Sequence, residues 1–343
     1  MNPILVNNWR GSAIESRHRG AVAVVNAAGR AVMTLGDVQQ PVFPRSSIKF
    51  LQGLNFVKSG AMEHYRLDNR HIAMACASHN GEPEHVDIVN DWLSRLDLDL
   101  NDLECGAELP SHRATAFELM GEGKAPTRAH HNCSGKHLGM LSTCCHKELG
   151  TKNYRLYQHE VQRRWFEDME RLCSVRATSL PWGYDGCGIP CIAMPLQRLA
   201  LGMARFADPS GLPTEDQDAV SKISEAITEH AYLIAGKERF CTAIARHLAP
   251  RVLAKVGADG VYAASIPDKG LGIVVKVDDG SMKAVNVVLG AVLQLLGEID
   301  EATHEALQGY IAPTLTNSRG EAIGRMEASS EWDSATIRED WLL

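Results

Sequence analysis

The stretch RVLAKVGADGVYAASIPDKGLGIVVKVDD, residues 251–279, predicts three short β-strands near the end of the chain. The apolar runs lie at 251–256, 260–266 and 272–279, and Gly and Pro residues separate them. A strongly apolar helical pattern, SMKAVNVVLGAVLQLLGEI, follows these runs. The last part of the chain therefore predicts short strands covered by a helix.

The beginning of the chain also predicts strands, whereas the middle predicts helices. Residues 21–36, AVAVVNAAGRAVMTLG, predict a β-hairpin, because two apolar runs flank an Asn-Ala-Ala-Gly turn. The helical patterns of the middle lie at 83–96, 138–149, 153–173, 194–206 and, as two helices, 216–248. Residues 101–135 and the Gly/Pro-rich segment 181–191 predict irregular loops.

This order of elements is not the regular βαβα alternation of a doubly wound fold. We expect an α+β fold in which an antiparallel sheet is built from both termini and a helical region is inserted between them. The sheet would come from about residues 1–45 and 250–343, and the helical region from about 46–249. We expect the whole chain, 1–343, to form a single catalytic unit.

Composition narrows the function classes. The chain has 343 residues, of which 45% are hydrophobic, and a formal charge of −7, which disfavours a nucleic-acid-binding protein. No apolar run is long enough for a membrane span, and the first residues lack the pattern of a secretory signal. The nine cysteines are an odd number and are scattered along the chain, which is typical of a reducing compartment. We therefore expect a cytoplasmic protein.

The segment PVFPRSSIKF, residues 41–50, places Ser46 three residues before Lys49. We expect a helix that begins near Ser46 or Ser47 as its N-cap and runs to Gly60. On a helix, this spacing puts Ser46 and Lys49 on one face. A serine beside a lysine can be a nucleophile beside its base. A capped helix start with a surface lysine explains the same residues, and S-x-x-K alone is a weak signal.

Two polar loops place cysteines beside a lysine. In HHNCSGKH, Cys133 and Lys136 lie three residues apart at an expected helix start, where the dipole and a neighbouring cation favour a thiolate. With Cys187 of YDGCGIPC, they could hold a soft metal such as zinc. The spacing is not that of a zinc finger, and buried structural cysteines are the alternative interpretation.

Other polar positions also have two interpretations each. Asp185, among glycines, is either a turn residue or a ligand for a substrate ammonium. Ser78, in ASHNGE, follows a small apolar segment that we expect to be buried. Lys255 and Lys276 lie in predicted strands, where a lysine usually faces solvent, and only a lysine facing a serine in a cleft would be functional.

Six motifs occur along the chain in this order: PRSSIKF, ASHNGE, HHNCSGKHLGML, WGYDGCGIPC, GADGVYAASIPDKGLGIVVKVDDG and VVLGAVLQLLG. The chain resembles the Rhizobium-type L-asparaginases, also called class 3 asparaginases or the asparaginase II sequence family. The resemblance covers most of the chain, and CSGKH and DGCGIPC are its most specific motifs. The residues after about 325 carry none of these motifs.

The resemblance implies a fold similar to that of serine β-lactamases, penicillin-binding proteins and serine glutaminases. It implies hydrolysis of L-asparagine to L-aspartate and ammonia by Ser-Lys pairs, with a Zn²⁺ site near the substrate pocket. It also implies that the protein is a homodimer. The expected binding partner is a small-molecule substrate, L-asparagine, and neither a membrane nor a nucleic acid is expected.

The resemblance also implies roles for individual residues. The S-x-x-K pair would be Ser46 and Lys49, the expected nucleophile and base, and Ser78 would form a second pair with a strand lysine. We assign Lys255 to that pair, because it precedes the GADG turn where this fold places a Lys-Thr-Gly strand. The triplet here is Lys-Val-Gly, and which Ser-Lys pair attacks stays open.

Lys269 and Lys276 are the alternatives to Lys255 as the partner of Ser78. The implied metal ligands are Cys133, Lys136 and Cys187. The implied substrate-binding residues are Arg45, His137 and Asp185.

Three other functions compete with asparagine hydrolysis. A glutaminase or another serine amidohydrolase of the same fold differs only in pocket shape. A β-lactamase would be exported and would carry Lys-Thr-Gly, and neither feature is seen in the sequence. A non-catalytic zinc-binding or sensor module is a rival of a different class, which the presence of both serine motifs disfavours.

Overall fold

The computed structural model describes residues 1–330 and confirms the predicted α+β fold class. Its strands are β1 (Ile4–Arg10), β2 (Ala13–Asn26), β3 (Ala31–Leu35), β4 (Pro41–Val42), β5 (Trp182–Tyr184), β6 (Pro190–Ile192), β7 (Met194–Pro195), β8 (Leu253–Gly257), β9 (Val261–Ile266), β10 (Leu271–Val277), β11 (Thr314–Thr316) and β12 (Ala322–Ala328). Its α-helices are α1 (Lys49–Lys58), α2 (Ala61–His64), α3 (Asn69–Ala75), α4 (Pro83–Arg95), α5 (Arg113–Gly121), α6 (Ser134–His146), α7 (Glu160–Cys173), α8 (Leu196–Ala207), α9 (Thr214–Glu229), α10 (Phe240–Leu248), α11 (Met282–Leu295) and α12 (Glu301–Ile311).

The main sheet joins strands from both ends of the chain, as predicted. It has eight strands in the order β11-β12-β1-β2-β10-β9-β8, with β3 paired to β2, and its ladders are antiparallel. The first half of β2 pairs with β1, and its second half pairs with β10 and β3. The last residues of the predicted sheet region, 331–343, lie outside the described residues.

The predicted hairpin and the three predicted C-terminal strands are present. The turn of the hairpin closes where the Gly29 N–H donates to the Asn26 carbonyl at 2.8 Å, and Gly29 has a positive φ of 82°, which glycine adopts at little cost. Each predicted C-terminal run matches one strand: β8, β9 or β10. Apolar runs bounded by glycine were therefore sufficient to locate these strands.

Some local predictions were wrong. The 153–173 pattern forms a helix only from Glu160, because Asn153 is left-handed at φ 59° and the His159 side chain accepts from the Val161 N–H as the N-cap. The 101–135 segment contains α5, and the 181–191 loop contains the β5–β6 ladder. Helix α5 has no buried residue, so no apolar stripe marks it in the sequence.

Strands β8, β9 and β10, at one end of the sheet, are almost entirely buried. Every residue of β8 and β9 is buried, and α8 and α11 both pack against β9 and β10. Helix α8 approaches β10 so closely that a Cβ on Gly272 would lie 2.1 Å from the Ala200 carbonyl oxygen. Continuous burial of this kind explains why these strands read as unbroken apolar runs.

The helical region is built around α1, which packs against α6, α7 and α9. Phe50, Leu51 and Leu54 of α1 are buried in the same hydrophobic core that includes strand residues of the sheet. At the far end of α1, Lys58 pairs with Asp168 at 2.5 Å and with Asp216 at 2.7 Å. The start of α1 is therefore held at the sheet, while its end is fixed by ion pairs.

Within residues 1–330, none of the helices combines the length and the apolar character that crossing a bilayer requires.

Candidate active site

The site begins where the chain enters α1. Residues Arg45–Ile48 form a 3-10 turn, and α1 follows from Lys49. The predicted side-chain N-cap does not form: Ser47 Oγ instead donates to the Pro44 carbonyl at 2.7 Å. The reason is the entry of the chain, where Arg45 is left-handed at φ 52°. Ser46 is left half-buried, with Ser47 holding the turn.

Ser78 lies between two lysine side chains. Its Oγ is 3.0 Å from Lys49 Nζ and 2.8 Å from Lys255 Nζ. Both lysines are fully buried, and Ser78 is 7% exposed. Lys49 Nζ also donates to the Ala77 carbonyl, and Lys255 Nζ lies 2.9 Å from the Val256 carbonyl oxygen. The amino groups of two buried lysines thus converge on one hydroxyl in the interior.

The other two candidate lysines do not bond to Ser78, although Lys276 lies in the wall of a cavity that Arg45 and Asp185 also line. Lys276 Nζ donates to the Asp259 and Val277 carbonyls at 2.6 Å and 2.7 Å and so holds the β8–β9 turn. Lys269 pairs with Glu298 at 2.7 Å. The structure therefore brings Lys255, and not these two, to Ser78.

The environment of Lys255 disfavours its charge. Burial lowers the pKa of Lys255 to about 7, and the nearby Lys49 and Arg239 charges act in the same direction, although Cys241 opposes them. A lysine with such a pKa is uncharged for a substantial fraction of the time at neutral pH. It can therefore accept a proton, which an ordinary lysine cannot do.

Next to this centre lies a cluster of two thiols and a lysine. Cys133 directly precedes α6, and its Sγ accepts from Lys49 Nζ at 3.2 Å. Lys136 Nζ donates to Cys187 Sγ at 3.0 Å. The hydrogen bond from Cys187, together with Lys49 and Lys136, holds the pKa of Cys133 well below its usual value, so we assign the thiolate to Cys133.

The three side chains predicted to bind zinc therefore converge. Two sulfur donors suit a soft metal, and the amine of Lys136 would have to lose a proton to be the third ligand. Burial alone would lower the pKa of Lys136, but Cys187, Cys133 and Asp185 raise it above its usual value. Across residues 1–330, no group of three His, Cys, Asp or Glu side chains could hold a metal. The donor set fits zinc only with this lysine as a ligand.

The predicted substrate-binding residues Arg45 and Asp185 are bonded to each other. Arg45 Nε donates to Asp185 Oδ1 at 2.6 Å, and Arg45 Nη1 donates to Asp259 on the β8–β9 turn. Burial raises the pKa of Asp185, but Lys136 and Arg45 more than offset it and lower that pKa. The three residues line a cavity of about 720 Å³ with Tyr184 on its wall. A carboxylate and a guanidinium thus face this cavity side by side.

His137 is fixed by a buried tyrosine. The Tyr154 hydroxyl accepts from the Glu104 N–H at 2.8 Å and lies 2.6 Å from His137 Nδ1. Nδ1 is therefore paired with the hydroxyl, whereas Nε2 is buried, with no partner among the described residues. His137 thus keeps one unpaired ring nitrogen in the interior.

Several contacts of the site were not predicted from the sequence. Asp259 pairs with Arg45, and its only signal was an Asp-Gly turn. Asn80 and Glu82 support the Ser78 loop, and the polar run SHNGE was their signal. Tyr154 had none, because an isolated tyrosine in an irregular segment carries no pattern.

Sequence comparison places these residues in a known family. The family described as L-asparaginase II matches residues 6–328. The chain belongs to the L-asparaginase II family. It is accordingly an asparaginase-type amidohydrolase that acts on a small-molecule substrate.

Solved structures similar to this L-asparaginase II family member are distant from it in sequence. One is a β-lactamase from Mycobacterium bovis, with 13% identity, coverage of 80% of this chain and 94% of that chain, and a TM-score of 0.41. Another is described as Mglu in its native form, with 15% identity, coverage of 86% and 68%, and a TM-score of 0.43. No curated protein matches the chain. The fold class of this family member rests on its own sheet topology.

Proposed function

We propose that the protein hydrolyses the side-chain amide of L-asparagine to give L-aspartate and ammonia, by Ser-Lys catalysis. The observation that carries this proposal is the position of Ser78 Oγ between Lys49 Nζ and Lys255 Nζ, at 3.0 Å and 2.8 Å. Ser46, which precedes Lys49 by three residues and is half-buried beside the cavity-lining Arg45, is the nucleophile.

The cavity offers partners for both charged groups of an amino acid. Arg45 would bind the α-carboxylate, and Asp185 would bind the α-ammonium. In the free protein these two side chains satisfy each other, so substrate binding exchanges one internal ion pair for two external ones. A substrate with only one of the two charges would leave a half-buried charge unpaired.

The single proton of the Ser78 hydroxyl connects the two lysines. When Lys255 is uncharged, Ser78 O–H donates to its nitrogen while Ser78 Oγ accepts from Lys49 Nζ. A proton can then pass from Lys49 to Ser78 as the Ser78 proton passes to Lys255. Lys49 becomes a free amine, and it can accept the proton of Ser46.

The reaction then balances in two halves. Ser46 Oγ bonds to the amide carbon, its proton goes to Lys49, and backbone N–H groups near Ser46 stabilise the oxyanion. The C–N bond breaks as Lys49 returns that proton to the leaving nitrogen, which departs as ammonia and leaves a β-aspartyl ester. Water attacks this ester with loss of a proton to Lys49, and the proton returns to Ser46 Oγ as aspartate leaves.

We also propose that Zn²⁺ binds to Cys133, Lys136 and Cys187. A zinc ion there would supply a Lewis acid or a template for substrate. The chain's own contribution is to hold Lys136 Nζ within 3.0 Å of Cys187 Sγ, and Cys133 Sγ within 3.2 Å of Lys49 Nζ. Elemental analysis of the purified protein tests this, and Cys187→Ala should lose the zinc that Cys191→Ala, in the same loop, keeps.

Steady-state ammonia release from L-asparagine and from L-glutamine, measured side by side, tests the proposed function. We expect release from asparagine and much slower release from glutamine. Equal or faster release from glutamine would make the protein a glutaminase, and release from neither would favour a non-catalytic module. The predicted homodimer and the predicted cytoplasmic location do not depend on this assay. Sedimentation tests the homodimer, and cell fractionation tests the location.

A further inference from the structure

The loop that carries Ser78 is held by a buried chain of side-chain hydrogen bonds. Asn80 and Glu82, in the same loop, are 2% and 1% exposed. Asn80 Oδ1 accepts from Arg239 Nη1 at 2.7 Å, and Asn80 Nδ2 donates to Glu82 Oε1 at 3.0 Å. The amide of Asn80 thus links a cation to an anion that do not touch each other directly.

The charges at its two ends give this amide a single orientation. Its oxygen faces the guanidinium of Arg239, and its NH₂ group faces the Glu82 carboxylate and the Lys237 carbonyl, the latter at 2.8 Å. Glu82 also accepts from the Lys237 N–H at 3.0 Å and from the Tyr232 hydroxyl. A flipped amide would point its NH₂ group at the Arg239 donor and its oxygen at the Glu82 and Lys237 acceptors. The network therefore specifies one conformation of Asn80.

The network ties the Ser78 loop to the segment between α9 and α10. Ser78 N–H donates to the Ile234 carbonyl at 3.0 Å. At Gly236 the two segments touch: a Cβ there would lie 2.8 Å from Asn80 Nδ2 and from Glu82 Oε1. The two segments are therefore bonded and packed together at both Ser78 and Asn80.

We propose that Asn80 is a positioning residue for the reaction: by joining Arg239 to Glu82, it holds Ser78 Oγ between Lys49 and Lys255. This inference rests on the proposed function. Asn80 does not bind substrate itself, because its oxygen and both amide hydrogens already have protein partners. Its effect is on the proton path rather than on affinity.

The test is Asn80→Ala against a matched control, Asn90→Ala, which is exposed on α4. We expect Asn80→Ala to lower kcat for asparagine by about 100-fold, the cost of misplacing a reacting group by about 1 Å. KM should change by less than about threefold, since the Arg45 and Asp185 contacts are untouched, and Asn90→Ala should match the parent.

A double-mutant comparison separates positioning from general loosening. The Arg239 charge also lowers the pKa of Lys255, so kcat of these variants is compared on the pH plateau above the titration of Lys255. If Asn80 acts by joining Arg239 to the loop, Arg239→Gln there lowers kcat in the same way, and the double variant loses no more than Asn80→Ala alone. Arg246→Gln, exposed on α10, which begins directly after Arg239, is the control for Arg239. If Asn80→Ala does not fold, Glu82→Gln, which keeps the side chain's size, should lower kcat in the same direction.

Parental kcat in a folded Asn80→Ala or Glu82→Gln variant, or additive losses in the double variant, would overturn the proposal. A crystal structure of the variant gives a readout without asparagine: the Ser78 Oγ–Lys255 Nζ separation should exceed hydrogen-bond length, and an unchanged separation would overturn the proposal. If the parent releases no ammonia, the proposed function has failed, but this distance still decides the role of Asn80.

Discussion

Ser78 Oγ lies 2.8 Å from Lys255 Nζ, although 177 positions separate the two residues in the chain. The helical region supplies the serine and the sheet supplies the lysine. The same hydroxyl lies 3.0 Å from Lys49 Nζ, so Ser78 contacts both buried lysines. In the proposed mechanism, this serine carries the proton between them.

The pH dependence of the reaction should report Lys255. Because its pKa is lowered to about 7 by burial and by Lys49 and Arg239, kcat/KM should rise with pH through about 7. The base is present above this pKa and is lost by protonation below it. Lys255→Arg, which stays charged, should remove nearly all activity, whereas Lys269→Arg should behave like the parent. A profile that is flat across neutral pH would contradict this role.

Asp259 should compete with the substrate for Arg45. Its carboxylate is exposed at 71%, yet it pairs with Arg45 Nη1 at the cavity wall. We expect Asp259→Asn to free this donor and lower KM for asparagine severalfold, with kcat little changed. Asp278→Asn, in the wall of the same cavity but bonded to Asn2, is the control. An increase in KM for Asp259→Asn would mean that Asp259 orients Arg45 for binding instead.

The close contact between β8 and the turn before α1 should be intolerant of a side chain. A Cβ on Gly257 would lie 2.5 Å from the Pro44 carbonyl oxygen and 3.1 Å from the Ser47 nitrogen. Gly257→Ala should therefore push Lys255 and the Ser46 turn apart, cost about 1–3 kcal/mol of stability as overpacking does, and lower kcat. Gly106→Ala, which meets open space, should do neither. Parental kcat in Gly257→Ala would show that the site tolerates this shift.

The ion pairs at the end of α1 should stabilise the fold without touching the site. Burial raises the pKa of Asp216, but Arg171 and Lys58 more than offset this and lower it. The charged form of Asp216 therefore stabilises the folded protein fully above the ordinary aspartate pKa. This contribution is lost as the pH falls through the lowered pKa of the folded state. Asp216→Asn should cost about 3 kcal/mol in denaturant unfolding at neutral pH and leave kcat unchanged. Asp218→Asn, at an exposed position of the same helix, should leave both stability and kcat unchanged. Equal stability of these variants would contradict this account.

The sequence predicts the elements whose burial leaves a regular pattern. Strands β8 to β10 appear as apolar runs, and α4 is marked by Pro83 at its first turn. The sequence pattern does not predict which residue the Lys49 side chain contacts. Lys49 and Ser46 are neighbours on the chain, but Lys49 Nζ bonds to Ser78, because the α3–α4 loop, and not the preceding turn, covers its tip.

Partners chosen by tertiary contacts were also outside the reach of sequence patterns. The left-handed Arg45 and its pairing with Asp259 depend on how the β8–β9 turn meets α1. The surrounding structure imposes both the backbone conformation of Arg45 and this ion pair, and no residue propensity predicts either. The family resemblance was enough to name the candidate residues and to pair Ser78 with Lys255, but not to predict that Arg45 pairs with Asp259 or that Lys49 bonds to Ser78.

Trapping the covalent intermediate tests the Ser-Lys account most directly. The protein is mixed with L-asparagine, quenched in acid within one turnover, digested and analysed by mass spectrometry, alongside Ser78→Ala and Ser46→Ala. We predict an aspartyl ester on Ser46 in the parent, an ester that forms at least about 100-fold more slowly in Ser78→Ala, as loss of a proton relay should cause, and none in Ser46→Ala. An ester on Ser78, or turnover of asparagine by Ser46→Ala at the parental rate, would contradict the account.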